Sequence, residues 1–496
     1  MIVLSFIKQR IVVKAEKIGR HLQRIIQCQV LFDKQSRDFY SVDASSYVVK
    51  PLVIAFPTNE RDIIKILNFA SKNNIPVTPR GAGTGLVGSA LGNGIILGFK
   101  HFDKIKIYSN YVQADSGVIK GILDKKLEED GKFFGPDPSV GPYCTIGGMI
   151  ATNASGSHSL KYGSIIDNLI GVRIITSSGK IINLPSKTQF GNKILKMINP
   201  SIQKKFPWVS KNSCGYRLDK IKKRTDLQKL IAGSEGTLGV IISAKLKIFP
   251  LPKKKILIIL SYRNLEQAVF DSANIVKLRP SALELIDKNI IEHIKFNFPA
   301  DTECLLFVEF DSNITKSRTD LGKIITGAKI IKILTKNDKV KMWWNIRNSA
   351  LGFSLRSVTP TQILPTLIED ATVSVDKLVL LVDIIKKISK KYKLDIVTYG
   401  HAGNGNLHIR PIIRRKDKKL IKKIATEFFS KVIEIGGSIT GEHGDGLARS
   451  EFVKLQYGKD VYSVFKKIKH EFDPKNILNP DKIVTTKSSM TKNLKF

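Results

Sequence analysis

The chain has 496 residues, 42% of them hydrophobic, which is enough to bury at least two cores. Its 81 Lys and Arg against 43 Asp and Glu leave a net charge of +38, yet the lysines are spread among isoleucines and no aromatic platform accompanies the densest run, Arg414 to Lys419, so a sequence-reading nucleic-acid site is excluded. Four well-separated cysteines, Cys28, Cys144, Cys214 and Cys304, form no C-x-x-C pair, which argues against a disulfide framework, a thiolate zinc site or an iron–sulfur cluster and fits a reducing compartment.

Residues 1–46 are predicted to form an N-terminal helical arm, because apolar side chains recur at helical spacing between Ile11 and Ile26. The apolar stretch 1–7 is too short to span a bilayer, and no small-residue cleavage site follows it. A first lobe, 47–252, opens with a strand at 48–56 and, behind the start signal Pro57-Thr58-Asn59, a helix at 60–74. The next loop reads Pro79-Arg80-Gly81-Ala82-Gly83-Thr84-Gly85-Leu86-Val87-Gly88. It contains a literal G-x-G-x-x-G, but Ser89-Ala90-Leu91-Gly92-Asn93-Gly94 continues the turn chemistry where a dinucleotide fold needs a helix, so a nicotinamide site is rejected. What remains is a run of closely spaced backbone amides with one arginine, a nest suited to a pyrophosphate; glycines that only permit tight turns are the plainer reading.

Small residues also dominate 135–163: Gly135-Pro136-Asp137-Pro138-Ser139, then Thr145-Ile146-Gly147-Gly148-Met149-Ile150-Ala151-Thr152-Asn153-Ala154-Ser155-Gly156, then Lys161-Tyr162-Gly163. Backbone with few side chains lets a large flat ligand come close to amide donors. The tract Ala232-Gly233-Ser234-Glu235-Gly236-Thr237-Leu238-Gly239-Val240-Ile241 has the same character. Beyond a linker at 250–255, marked by two prolines and three lysines, a second lobe spans 253–425. It alternates strands at 256–261, 305–310 and 396–399 with amphipathic helices at 265–277 and 375–392, an α+β cap. A tight hairpin is predicted around Gly403-Asn404-Gly405, with His401 and His408 facing each other across its mouth. A last segment, 426–485, carries Glu442-His443 between Gly441 and Gly444 and is expected to fold back beside the first lobe; 486–496 is a basic tail. His401, His408 and the Glu442 carboxylate are an ordinary ligand set for a divalent ion such as zinc, and His443 beside them is placed to take a proton.

Together, the glycine-rich tracts resemble the FAD-binding module of the vanillyl-alcohol oxidase and p-cresol methylhydroxylase superfamily. With the two histidine tracts added, nearly the whole chain, from Asp38 to Pro480, is similar to the D-lactate dehydrogenase, glycolate oxidase and D-2-hydroxyglutarate dehydrogenase branch of FAD-linked oxidases. The resemblance implies an α+β fold in which a two-lobed FAD-binding module carries an α+β cap and the C-terminal segment returns to the flavin. It implies noncovalent FAD held by Pro79, Arg80, Gly81, Ala82, Gly83, Thr84 and Gly85, by Pro138, Ser139, Thr145, Gly147 and Gly148, by Asn153, Ser155, Gly156 and Tyr162, and by Glu235, Gly236, Ile241 and Asn479. For Arg347, in Trp343-Trp344-Asn345-Ile346-Arg347, it implies a catalytic grip on a substrate carboxylate, which a guanidinium fork matches; a helix-surface arginine is the plainer reading.

Arg410 stands where hydroxyglutarate-oxidising relatives carry asparagine, adding positive charge at the substrate, and Ile368 is apolar where some diacid-oxidising relatives place a lysine. The implied reaction is oxidation of a D-2-hydroxy acid, D-lactate-like, to the 2-oxo acid, with His443 as base and electrons passing on to a quinone, a cytochrome or a separate iron–sulfur protein. D-2-hydroxyglutarate and glycolate are alternatives within the branch; outside it stand a nonredox FAD enzyme and an FAD-binding subunit of a larger complex. The expected location is the cytoplasm or the inner membrane face, the +38 charge being read as compositional drift or as attraction to anionic lipid.

Overall fold

Unbroken apolar runs of four or five residues make strands buried on both faces, and in the computed structural model, which describes residues 2–186, 189–414, 417–485 and 488–496, such runs supply inner strands of the first and third of the three larger sheets. The first sheet has the order Gln29–Leu31, Val53–Phe56, Ile95–Gly98, Val77–Arg80, and its last three strands are parallel. A crossover helix, Glu60–Asn73, makes the parallel pairing feasible. Asn59 starts it by accepting the Asp62 N–H at 3.0 Å, and Asn74 ends it in the left-handed region, so the predicted 60–74 differs by one residue. The strand expected at 48–56 begins only at Val53: Pro51 has no N–H to give a ladder, and its carbonyl accepts Arg37 Nε at 2.8 Å. The helix Ile2–Ile25 buries Ala15, Ile18 and Leu22 against this sheet, so it forms part of the lobe's core.

The second sheet is antiparallel throughout, in the order Ile105–Ile107, Tyr111–Asp115, Val240–Lys247, Leu169–Ile175, Ile181–Leu184. Its Ile175, Val240 and Ile242 share one apolar cluster with Val53, Ala55, Ile95 and Leu97 of the first sheet. The third sheet has seven antiparallel strands: Lys329–Leu334, Ile256–Tyr262, Cys304–Phe310, Ala282–Asp287, Ile396–His401, Asn406–Pro411 and Ala371–Thr372. Side chains alternate along Ile256–Tyr262. Leu257 and Ile259 join Trp343 and Trp344 of the helix Asn337–Asn348, whereas Ile258 and Leu260 join Ala268 of Leu265–Ile275 and Leu381 of Leu378–Tyr392. Both cap helices read from the sequence are therefore present, each shortened at one end by a single helical turn of tighter pitch.

After the helix Lys418–Glu434 the chain crosses back to the first lobe. Leu478 bridges Val77, and Lys469 Nζ, almost fully buried, donates to Asp473 at 2.6 Å, Leu478 O at 2.7 Å and Thr237 O at 2.8 Å. The expected basic tail also packs: Met490 is buried, its carbonyl accepts the Tyr47 hydroxyl, and Leu494 bridges Tyr47. Of the run Arg414 to Lys419, residues 415 and 416 lie outside the described residues, as do 486 and 487 of the tail. Among the described residues no helix is long and apolar enough to cross a membrane. Replacing Lys469 with Met removes three donations from one buried point and leaves Asp473 uncompensated, a loss of about 3 kcal/mol. A clearly lower thermal midpoint is expected; an unchanged midpoint would show that this lysine does not tie the returning segment down.

Candidate active site

All three larger sheets contribute to one cavity of ≈ 520 Å³. Its first wall is the loop that leaves Val77–Arg80, where none of the amides of Ala82, Gly83, Thr84, Gly85 and Leu86 has an acceptor among the described residues. Gly83 turns the loop with φ 73°, and a Cβ on Gly81 would meet Thr145 Oγ1 at 2.3 Å, because the loop is pressed onto the start of the helix Ile146–Thr152. A Cβ on Gly85 would touch only Ser89 Oγ, at 3.6 Å. Free amides and missing side chains together make a cradle, and an FAD pyrophosphate fits it. Pro79, Arg80, Pro138, Ser139, Thr145, Gly147, Gly148, Ser155, Gly156, Glu235, Gly236 and Ile241 also line the wall.

Four of the sequence-predicted residues do something else. Arg80 reaches the wall, but its guanidinium donates to the carbonyls of Tyr40 at 3.2 Å and Val42 at 2.8 Å, so its charge holds the loop. Asn153, Tyr162 and Asn479 lie off the wall. Asn153 accepts the Ile166 N–H at 2.9 Å, Tyr162 gives its hydroxyl to Asp311, and Asn479 ties Ser89 O at 2.8 Å to Glu235 O at 2.6 Å. These side chains brace the loops that form the cradle.

At the other end of the cavity the hairpin Ile396–His401 and Asn406–Pro411 turns through Ala402–Asn404 and a left-handed Gly405. Its register sets Tyr399 opposite His408 and His401 opposite Asn406. The two histidines therefore lie on one face as diagonal neighbours, ring centres 5.4 Å apart, and not opposite each other as the turn alone suggested. Glu442 Oε1 sits 2.9 Å from His401 Nε2, 3.3 Å from His408 Nε2 and 3.7 Å from His443 Nε2. Three imidazoles aimed at one carboxylate oxygen are a donor set gathered around a point, which suits a tetrahedral divalent ion.

Each ring is oriented from behind. His401 Nδ1 meets Glu284 Oε1 at 2.8 Å, His443 Nδ1 meets Glu369 Oε1 at 2.8 Å, and His408 Nδ1 lies more loosely at 3.3 Å from Glu369 Oε2. Carboxylates at Nδ1 leave every Nε2 turned to the cavity. The other oxygen of Glu442 accepts Ser155 Oγ at 2.5 Å and the buried Lys211 Nζ at 3.0 Å. Burial opposes charge on Glu442 and Glu369, but the cations and rings around them outweigh it and hold both carboxyls well below the usual range. For His443 burial likewise opposes the charged ring, and Glu369 with Asp370 outweighs it and pushes the ring up to about 9.

Asp370 lies within reach of the same donors, with candidate ligand atoms of Asp370, His408, Glu442 and His443 all within 4.8 Å of one another. Its oxygens are already committed. Oδ2 accepts the N–H groups of Gly441 at 3.1 Å, Glu442 at 3.1 Å and His443 at 2.9 Å and the Thr440 hydroxyl at 2.6 Å, while Oδ1 accepts Asn406 Nδ2 at 3.1 Å. Asp370 thus anchors the turn through both of its oxygens. Arg347 lines the cavity, paired with Glu284 and with its Nε unpartnered among the described residues. Arg410 does not line it: it is fully buried behind Tyr399, 3.4 Å from Glu369 Oε2.

Sequence reasoning missed Glu284, Glu369, Asp370 and Lys211. The acids carried a signal, Glu284 as a lone charge inside Ala282-Leu283-Glu284-Leu285-Ile286 and Glu369-Asp370 as an acidic pair between Ile368 and Ala371; Lys211 is one of 81 basic residues and carried none. Asp370→Asn barely changes volume, yet its NH2 must face either the three backbone N–H groups or Asn406 Nδ2. A loss of about 3 kcal/mol is expected, seen as a lower thermal midpoint, and a wild-type midpoint would show that the carboxylate is not the anchor.

Residues 51–185 match an FAD binding domain and residues 251–483 match the C-terminal domain of FAD linked oxidases. The glycolate oxidase subunit GlcD of Bacillus subtilis is 32% identical over 90% of this chain and 91% of its own length. A D-lactate dehydrogenase of Anaerostipes hadrus is 29% identical over 91% of this chain and 93% of its own. The D-2-hydroxyglutarate dehydrogenase of Escherichia coli is 28% identical over 89% of this chain, which spans only 49% of that longer protein. Among solved structures, an alkyldihydroxyacetonephosphate synthase superposes with a TM-score of 0.67 over 94% of this chain and 85% of that one, at 19% identity, and shares the fold. The chain belongs to the FAD-linked oxidases, as an FAD-dependent oxidoreductase of the branch whose members are named D-lactate dehydrogenase, glycolate oxidase and D-2-hydroxyglutarate dehydrogenase.

Proposed function

We propose that this chain is a dehydrogenase that oxidises a D-2-hydroxy acid, D-lactate-like in carrying a single carboxylate, to the 2-oxo acid. The observation that supports it most directly is the convergence of His401, His408 and His443 on Glu442 at one end of a cavity whose other end is a nest of free amides. The nest suits noncovalent FAD, and His401, His408 and Glu442 suit a divalent ion, zinc by the character of the ligands. When bound, the flavin supplies an acceptor for the electron pair and the ion supplies Lewis acidity.

The chain's own residues do the rest. Arg347 binds the substrate carboxylate, its guanidinium steadied by Glu284, which also holds His401. His443 takes the hydroxyl proton at Nε2, since Glu369 occupies Nδ1. A divalent ion held by His401, His408 and Glu442 would offset Glu369 and Glu442 and would lower the His443 ring from about 9 toward the range where a general base works near neutral pH. Cationic side chains on the described wall are Arg80, spent on backbone carbonyls, and Arg347. A second substrate carboxylate would find no free partner there, which favours a lactate-like acid over hydroxyglutarate. Turnover then needs an outside acceptor, a quinone, a cytochrome or a separate iron–sulfur protein, with the chain working in the cytoplasm or against the inner membrane face.

The test is anaerobic bleaching of the flavin by D-lactate, L-lactate, glycolate and D-2-hydroxyglutarate, before and after a chelator. D-lactate should bleach it and the chelator should abolish bleaching; a colourless protein, or bleaching indifferent to the chelator, contradicts the scheme. His443→Ala should stay yellow while its reduction slows by roughly 10² or more. Retained reduction would remove His443 from the role of base.

A further inference from the structure

A second polar cluster lies outside the donor set, between the first lobe and the cap. His158 Nδ1 meets Asp137 Oδ2 at 2.6 Å and Nε2 meets Glu309 Oε1 at 2.9 Å. Asp137 precedes Pro138 and Ser139 on the glycine-rich wall, and it also accepts the His158 N–H at 3.0 Å. Glu309 belongs to the cap strand Cys304–Phe310 and is buried; its Oε1 also accepts Ser281 Oγ at 3.0 Å and its Oε2 accepts Trp344 Nε1 at 2.8 Å. Trp344 lies 5.1 Å from the His158 ring and three residues before Arg347 on the helix Asn337–Asn348, so the two share a face. Only a protonated imidazole donates from both nitrogens, and two carboxylates flanking one ring favour that form. The contact is thus a charged bridge that runs from the segment before Pro138 and Ser139, through a cap strand off the wall, to the helix that brings Arg347 to the cavity.

We propose that His158 is a positioning residue for Arg347, fixing the cap helix against the glycine-rich wall through the bridge Asp137, His158, Glu309, Trp344. This role presupposes that Arg347 grips the substrate carboxylate. A helix that is free to shift would still present an arginine, but at varying distance from the bound acid. Misplacement of such a fork weakens ground-state binding more than it slows chemistry.

The test uses the purified FAD-loaded chain with His158→Gln, and with Trp344→Phe, which keeps an aromatic ring but removes the indole N–H together with part of the indole. Amide hydrogen exchange over 337–348 should quicken in both variants while exchange over 265–275 does not change. For whichever of D-lactate, glycolate and D-2-hydroxyglutarate is oxidised with an artificial acceptor, KM should rise about tenfold and kcat should move by less than about threefold. Arg347→Met should raise KM by itself, and adding His158→Gln to it should raise KM no further, a non-additivity that a general loss of stability would not give. Unaltered exchange over 337–348 in His158→Gln overturns the bridge, whatever the substrate. Quickened exchange with unchanged KM, where Arg347→Met does raise KM, overturns the positioning role. An unchanged KM in Arg347→Met removes the arginine's own function and the positioning claim with it, leaving the exchange data to decide the bridge alone.

Discussion

Two buried acidic side chains from opposite sides of the molecule hold the turn 440–446, and the site exists only where that turn is held. Asp370 of the cap gathers the amides of Gly441, Glu442 and His443. Glu235 of the first lobe gathers those of Asp445, at 2.5 Å, and Gly446, at 2.9 Å. Between them Gly444 passes at φ 83°, so close that a Cβ would come within 2.3 Å of Glu235 Oε1. An acid stripped of such donors away from water costs several kcal/mol, so the turn cannot relax without exposing one or the other. Glu442 and His443 are consequently fixed above the cradle in the first lobe, although neither lobe contains a complete site by itself.

The net charge lies at the surface, because buried acids are matched by buried lysines and arginines. The excess of +38 belongs to a lysine-rich exterior, while the site is built on buried acids. Glu284 and Glu369 stand behind the imidazoles, Glu442 stands among them, and Arg347 at Glu284, His443 with Arg410 at Glu369, and His401 with Lys211 at Glu442 keep these carboxylates ionised where burial would neutralise them. The result is a Glu442 oxygen ringed by imidazole nitrogens at the end of a cavity whose other end offers bare amides.

Much of this was legible because the pattern was strong. The helix at 60–74 had a start signal and uninterrupted period, and the strands at 256–261 and 305–310 opened on apolar runs of four or more residues. His401, His408, Glu442 and His443 stood out as rare residue types inside glycine tracts. The hairpin's register did not: four residues, 402–405, separate the strands, which moves His408 opposite Tyr399. Nor did residue type separate a ligand contact from a brace, so Asn153, Tyr162 and Asn479 turned out to tie loops together. Arg410 depends on the path of its side chain behind Tyr399, which no spacing in the chain encodes.

Imidazole and carboxylate donors from the C-terminal half meet over the cradle in the N-terminal half. An anomalous-difference map from a crystal of the yellow, zinc-loaded protein tests it most directly. The account predicts one strong peak inside the cavity, about 2 Å from His401 Nε2, His408 Nε2 and a Glu442 oxygen, beside the flavin ring. A peak at any other set of residues, or none in a cavity that holds the flavin, would contradict it.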